Sequence, residues 1–318
     1  MEGERTPTKI AIVGGAGAVG ASAAYALMIS GLASEIVLVD VNARRAEGEA
    51  MDLAQGAPFV RPVIVRHGTY ADCAGCHIVV ITAGAAQKPG ETRLDLVKKN
   101  TGIFQNMIPQ IAAAAPKAIL LVVANPVDVL TLATLKFSGF PTGRVVGSGT
   151  VLDTGRLRSL IGQKLEVDPR SVHGYVIGEH GDSELVVWSR TTVGSMPIAD
   201  FCVQRGRPFD AYIQERIADE VCHAAYEIIE RKGATYYAIG LAIRHIIEAM
   251  LRDQNTILTV STLLSGQYGL SGVCLSLPSI VDHNGVEVVL EPPLSEDELH
   301  ALRRSAEVLG ETARAAGL

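Results

Sequence analysis

Aromatic residues are scarce in this chain, 5% of 318 with a single tryptophan, and no apolar run approaches the ~18 residues that a membrane helix needs. The best candidate, Ala118 to Ala124, stops at Asn125-Pro126, so a soluble protein is expected. A basic excess is also missing. The net charge of -6 argues against nucleic acid or an acidic membrane surface as the main partner. Met1-Glu2-Gly3-Glu4-Arg5 is charged and has no apolar signal core behind it, which places the expected location in the cytoplasm. Cysteine is sparse and odd in number, at five. Cys73-Ala74-Gly75-Cys76 has no second pair at zinc-ligand spacing and no thioredoxin-like surroundings, so no metal site and reduced thiols are expected. Internal repeats and low-complexity linkers are absent.

What is abundant is aliphatic. With 48% hydrophobic and 19% charged residues, the composition suits an α/β core with buried parallel strands. The length calls for two domains, with a break near Gly147-Ser148-Gly149 that gives residues 1–148 and 149–318.

A strand-like run, Ile10 to Val13, leads into Gly14-Gly15-Ala16-Gly17-Ala18-Val19-Gly20 and then a helical stretch, Ala21 to Ile29, closed by Gly31. This is GxGxxG between a strand and a helix, where it has physical meaning. Gly15 would allow the tight turn, Gly17 the approach of a pyrophosphate and Gly20 close helix packing, with Val19 beside them. A second strand, Ile36 to Val39, ends in Asp40, about twenty residues on, where a carboxylate accepts from an adenosine ribose and repels a 2′-phosphate. NAD is therefore expected rather than NADP. Strands Ile78 to Thr82 and Ile119 to Val123 continue the alternation of a doubly wound parallel sheet. Ligands bind beyond the carboxyl ends of such strands, which here carry Thr82, Gly84, Val123 and Asn125. Asn125 has a second reading as an Asx turn before Pro126.

His180 lies in Gly178-Glu179-His180-Gly181-Asp182-Ser183 and titrates near neutral pH, as a proton carrier for an alcohol oxygen must. Asp153 and Arg156 share one helical face by their i, i+3 spacing. Asp153 would fix the His180 tautomer and Arg156 would hold a carboxylate in two hydrogen bonds, although an ordinary intrahelical salt bridge fits the same spacing. The polar stretch Ala85 to Arg93 is read as a loop able to close over substrate, with Arg93 either meeting a polarised carbonyl or standing as a solvated charge at a helix start. Arg158 and His173 are expected to face away from this pocket. Thr235, between helical patterns Ile213 to Glu230 and Tyr237 to Met250, reads as a pocket residue or an N-cap. Ser295 with Glu298 reads as a capping box before a last helix.

The GAGAVG fingerprint, the QKPGETR loop, the ANPVD turn, the LDTGRLR helix and the IGEHGDS segment stand in an order that resembles the L-lactate/malate dehydrogenase family over nearly the full chain, in particular its bacterial L-lactate dehydrogenase branch. The resemblance implies a Rossmann doubly wound parallel sheet followed by a mixed α+β catalytic domain, an NAD cofactor, pyruvate and L-lactate as substrate and product, and a homotetramer. It implies His180 as proton donor and acceptor, Asp153 as its partner, Arg156 as carboxylate clamp and Arg93 as carbonyl polariser. Gln87 stands where the malate enzymes usually carry arginine, so the neutral side chain points to pyruvate over oxaloacetate. Thr235 falls near the substrate methyl. Arg158 and His173 match an arginine and a histidine that bind fructose 1,6-bisphosphate across a subunit interface. Two departures are the Ala85-Ala86 pair and Gly155, where relatives often carry other residues. The competing readings are a malate or broader 2-hydroxy-acid dehydrogenase and a non-catalytic nucleotide sensor, which would have no use for His180, Asp153, Arg156 and Arg93 together.

Overall fold

Uninterrupted runs of Ile, Val and Leu form most strands of the first half, as befits strands covered on both faces. They are β1 (Lys9–Val13), β2 (Glu35–Val39), β3 (Ile64–Gly68), β4 (Ile78–Ile81), β5 (Ile119–Val122) and β6 (Val145–Gly147). All pair in parallel in the order β3-β2-β1-β4-β5-β6. The order reverses between β1 and β4, opening a crevice at their carboxyl ends where ligands bind. Helices α1 (Ala18–Ser30), α2 (Ala43–Gln55), α3 (Arg93–Ala114) and α4 (Val127–Ser138) make the crossovers and cover the faces. This computed structural model describes residues 8–85, residue 90 and residues 92–318; Ala86 and Gln87 lie outside the described residues, and so does the side chain of Arg93.

Alternate residues of the strands feed opposite layers. Ile10, Ile12, Ile36 and Leu38 pack on one face with Ala23 and Leu27 of α1, whereas Ala11, Val13, Val79 and Ile81 face Phe104, Ile108 and Ile111 of α3. Each such Leu, Ile or Phe side chain contributes about 1.5–3 kcal/mol by leaving water.

The second half opens with α5 (Val151–Leu165) and a run of two-residue strands: β7 (Val172–His173), β8 (Val176–Ile177), β9 (Leu185–Val186), β10 (Thr192–Val193) and β11 (Met196–Pro197). Helices α6 (Ile198–Gln204), α7 (Ala211–Lys232) and α8 (Tyr237–Leu251) follow, then the antiparallel meander β12 (Thr256–Ser265), β13 (Ser271–Asp282) and β14 (Gly285–Val289), and α9 (Glu296–Ala315). The Ser295–Glu298 capping box at the start of α9 is present. Helix α8 returns to α1: Ile243 and Ile246 join the same cluster as Ala23 and Leu27, and a Cβ on Gly240 would sit 3.1 Å from the Ser22 backbone.

One feature was not legible in the residue pattern. Ser261 of β12 pairs antiparallel with Gly147 of β6, so the meander continues the first sheet into one of nine strands.

Candidate active site

The turn after β1 takes its left-handed residue at Gly14, with φ 91°. Gly15 is needed for space, because its Cβ would lie 2.9 Å from Leu38 Cβ. The Gly14 and Gly15 amides both donate to the Val39 carbonyl, at 2.8 and 3.1 Å, which ties the loop to the end of β2. A Cβ on Gly20 would fall 2.4 Å from the Gly14 carbonyl oxygen, so helix α1 approaches the loop as only glycine permits. Gly17 caps α1 in an extended conformation and offers no side chain to the first-turn amides. Val19, in that turn, is half-buried against the core. Asp40 follows β2; its carboxylate accepts from the amides of Ala16 and Asn42 at 3.1 and 2.9 Å. That arrangement is a cradle for an anion at a helix start with a fixed carboxylate beside it.

At the neighbouring strand ends the roles divide. The Thr82 hydroxyl donates to the Val13 carbonyl at 3.0 Å and so joins β4 to β1. Val123 is buried and its amide donates to Ile81, while Gly84 and Asn125 are exposed at the crevice. Asn100 of α3, which the sequence reading passed over, holds this region together. Its amide donates to the Asn125 carbonyl at 2.9 Å and its side-chain oxygen accepts from Ala85 at 2.7 Å.

Asp153, Arg156 and His180 converge. The Asp153 carboxylate is 1% exposed; one oxygen meets Nδ1 of His180 at 2.6 Å and the other Nη1 of Arg156 at 2.5 Å. The intrahelical salt bridge and the Asp153–His180 contact are therefore both present. Burial works against the His180 charge, but Asp153, through its charge and hydrogen bond, outweighs it with help from Glu184 and Asp128, and the imidazole is held up to about 9. Asp153 is correspondingly held low: burial raises it, and His180 and Arg156 more than reverse that. All three side chains line a cavity of about 300 Å³, together with Leu96, Asn125, Glu184, Cys222 and Tyr226.

Two carboxyl groups here escaped the sequence reading. Asp128, buried at the start of α4, accepts the His180 backbone amide at 2.8 Å and the Ser261 hydroxyl at 2.6 Å. Burial pushes it up to about 6 against the pull of those bonds. Its signal was in plain view, in the ANPVD turn, but the turn was read for Asn125. Glu184 had no signal beyond its place four residues after His180.

A family model for the lactate/malate dehydrogenase NAD-binding domain matches residues 8–147, and one for the lactate/malate dehydrogenase α/β C-terminal domain matches residues 150–316. The chain belongs to the lactate/malate dehydrogenase family. It is 54% identical over 305 residues to L-lactate dehydrogenase 1 of Clostridium acetobutylicum, covering 96% of this chain and 97% of that one. It is 53% identical over 311 residues to L-lactate dehydrogenase of Acetivibrio thermocellus, covering 98% of each. Among solved structures, the minor L-lactate dehydrogenase of Enterococcus mundtii in a ligands-bound form superposes with a TM-score of 0.94 at 45% identity, covering 98% of both chains.

The matching family model makes the first half an NAD-binding domain, and the residues of the cradle fit that cofactor. The glycines at Gly17 and Gly20 leave the loop and helix start free of side chains, and Asp40 stands at the end of β2. Arg158 of α5 turns away from the cavity, as expected. Its Nη2 lies 3.5 Å from the Gly174 carbonyl, next to His173, and its Nε is buried without a partner among the described residues. His173 is exposed on β7, opposite Thr192. Thr235 is half-buried just before α8, where Tyr236 takes the cap position, and it does not line the cavity. Among the described residues no helix is long and apolar enough to cross a membrane.

Proposed function

We propose that the protein is an NAD-dependent L-lactate dehydrogenase that reduces pyruvate reversibly to (S)-lactate at the end of glycolysis. The observation that carries this reading is the Asp153 carboxylate shared between His180 and Arg156 on one cavity wall. The relatives named above, each called an L-lactate dehydrogenase, support it.

With Nδ1 committed to Asp153, Nε2 is the ring nitrogen left for substrate. The imidazolium, already favoured at neutral pH, gives its proton to the carbonyl oxygen as that atom becomes an alkoxide. Asp153 keeps the ring oriented throughout and takes no proton itself. NADH, when bound in the first-half cradle, would supply the hydride. Arg156 has one guanidinium nitrogen on Asp153 and directs its remaining donors to the substrate carboxylate, which is why both residues are needed on one helix face. Arg93 is assigned the carbonyl oxygen, Asn125 the substrate and nicotinamide side, and Gln87 the methyl side; Thr235, which does not line the cavity, is given the methyl side by the family resemblance alone. A second carboxylate next to a neutral Gln87 would be buried without counter-charge, costing roughly 2 to 4 kcal/mol against oxaloacetate.

The same reading includes a cytoplasmic homotetramer activated by fructose 1,6-bisphosphate through Arg158 and His173. Arg158 reaches the carbonyl of Gly174, the residue that follows His173, which is consistent with this reading, in which two such pairs from facing subunits would make a cleft for two phosphates. The test is NADH oxidation with pyruvate and, separately, oxaloacetate, each with and without fructose 1,6-bisphosphate. Fast turnover selective for pyruvate is expected. Preference for oxaloacetate would make the protein a malate dehydrogenase, and activation that survives replacement of both Arg158 and His173 by uncharged residues would remove the effector site.

A further inference from the structure

We propose that Glu184 is a positioning residue of this site, a second carboxyl that governs how tightly His180 holds its proton. The proposal deepens the reading of His180 as the proton-transfer group and rests on it.

The geometry is the argument. Glu184 leaves the tight turn that begins at His180, its amide donating to the Gly181 carbonyl at 3.1 Å. The turn folds the side chain back, so that one carboxylate oxygen of Glu184, one of Asp153 and a ring nitrogen of His180 all lie within 4.8 Å of one another. Glu184 lines the same cavity, yet its Oε1 is buried with no hydrogen-bond partner among the described residues. Asp153 and Asp128, by contrast, each have both oxygens engaged. A buried carboxyl oxygen left without a donor is costly as an anion, and its most favourable compensation nearby is the imidazolium.

The surroundings leave His180 few other influences. From α5 it faces Asp153 and Arg156, and from α4 Asp128, which holds its backbone. Helix α7 brings Cys222 and Tyr226, the latter donating to Asp182 at 2.9 Å, while Glu179 on its own loop accepts from Ser183. Asp153 is already spent on two partners. Burial lifts two acidic side chains here, Asp128 to about 6 and, with Asp153 adding to it, Glu184 to about 8, and of the two Glu184 is the one with an oxygen left unpaired beside the ring.

The consequence concerns the alkaline side. As Glu184 loses its proton, its charge appears beside the imidazolium and opposite to Asp153, in a medium that screens poorly. His180 then keeps its proton to higher pH than Asp153 alone would allow. Burial has two opposed effects in this cavity: it weakens the imidazolium directly and strengthens each carboxylate that faces it.

The experiment compares the native protein with Glu184→Gln and Glu184→Ala, which both remove the charge, and Glu184→Asp, which keeps it. Two quantities are followed against pH: kcat/KM for pyruvate reduction at saturating NADH, and the rate at which diethyl pyrocarbonate modifies His180, read by peptide mass spectrometry. In the two neutral variants the alkaline limb and the modification midpoint should both move down by about half a pH unit or more, with Glu184→Asp lying nearer the native protein. Unmoved midpoints in both neutral variants would overturn the proposal, and agreement between two different neutral side chains guards against a folding artefact in one. If pyruvate is not turned over, the proposed activity fails, but the His180 modification profile still decides the role of Glu184.

Discussion

Asp128 holds His180 by its backbone and not by its ring: the carboxylate accepts the His180 amide at 2.8 Å while its second oxygen accepts from Ser261 of β12. The imidazole is thus fixed at both ends, at the ring by Asp153 and at the main chain by Asp128. Asp128→Asn replaces one of the two accepting oxygens by an NH2 donor, which meets either the His180 amide or the Ser261 hydroxyl and disrupts the buried pairing. We expect a loss of about 1–3 kcal/mol in stability and at least about a tenfold fall in kcat/KM from a displaced ring. Denaturant unfolding and steady-state rates measure the two separately; native values for both would show that the backbone bond is dispensable.

The stability of the fold should fall on the alkaline side. His180 binds its proton more tightly folded, at about 9 against 6.5, so its contribution is complete below about pH 6.5 and drains away as pH rises through 9. Glu184, raised from 4.5 to about 8, drains in the same direction. The ceiling for His180 is about 3 kcal/mol. Asp153, held low, acts on the acid side, where its contribution is lost as pH falls. Melting temperatures measured from pH 6 to 10 should drop, and the slope should flatten in His180→Asn; a slope unchanged by that substitution would place the effect elsewhere.

Gly20→Ala puts a methyl 2.4 Å from the Gly14 carbonyl oxygen, a backbone atom that cannot swing aside. The helix start and the glycine loop must separate, and the amides that face the pyrophosphate move with them. NADH affinity, followed by cofactor fluorescence, should weaken at least about tenfold, or about 1.4 kcal/mol. Native affinity would mean that α1 shifts without disturbing the cradle.

At Gly155 the expectation reverses. It lies mid-helix in α5, exposed, with nothing within 4 Å of where a Cβ would be. Gly155→Ala should stabilise the protein by about 0.5–1 kcal/mol through the unfolded chain. A destabilised variant would point to a subunit contact at this face.

Gln87→Arg should raise activity on oxaloacetate relative to pyruvate by supplying the counter-charge that the neutral side chain lacks. Substrate ratios unchanged by the substitution would place residue 87 away from the substrate.

Much of this was legible in the sequence, for a physical reason. Strands buried on both faces carry uninterrupted aliphatic runs, and glycines that a side chain would block stand at fixed spacing, so β1, β2, β4, β5 and the loop before α1 could be read directly. Strand β3, Ile64-Val65-Arg66-His67-Gly68, is an edge strand with polar residues, and β6 is only three residues long; neither leaves a pattern. The convergence of Asp153, Arg156 and His180 followed from helical spacing plus the chemistry of a proton carrier. Asp128 and Glu184 did not follow, because what matters about them is burial near His180, and burial is settled by elements far apart in the chain.

The hydrogen bonds between β6 and β12 have a mechanical meaning. The sheet crosses the junction of the two halves at the Gly147–Ser261 pair, and the α1–α8 contact braces it on one side. Swinging one half against the other would tear a strand pair, so opening and closing around ligands must be done by short segments at the rim while the halves stay in register. It also predicts that heat unravels the molecule as one body, without a stage in which the nucleotide half survives alone.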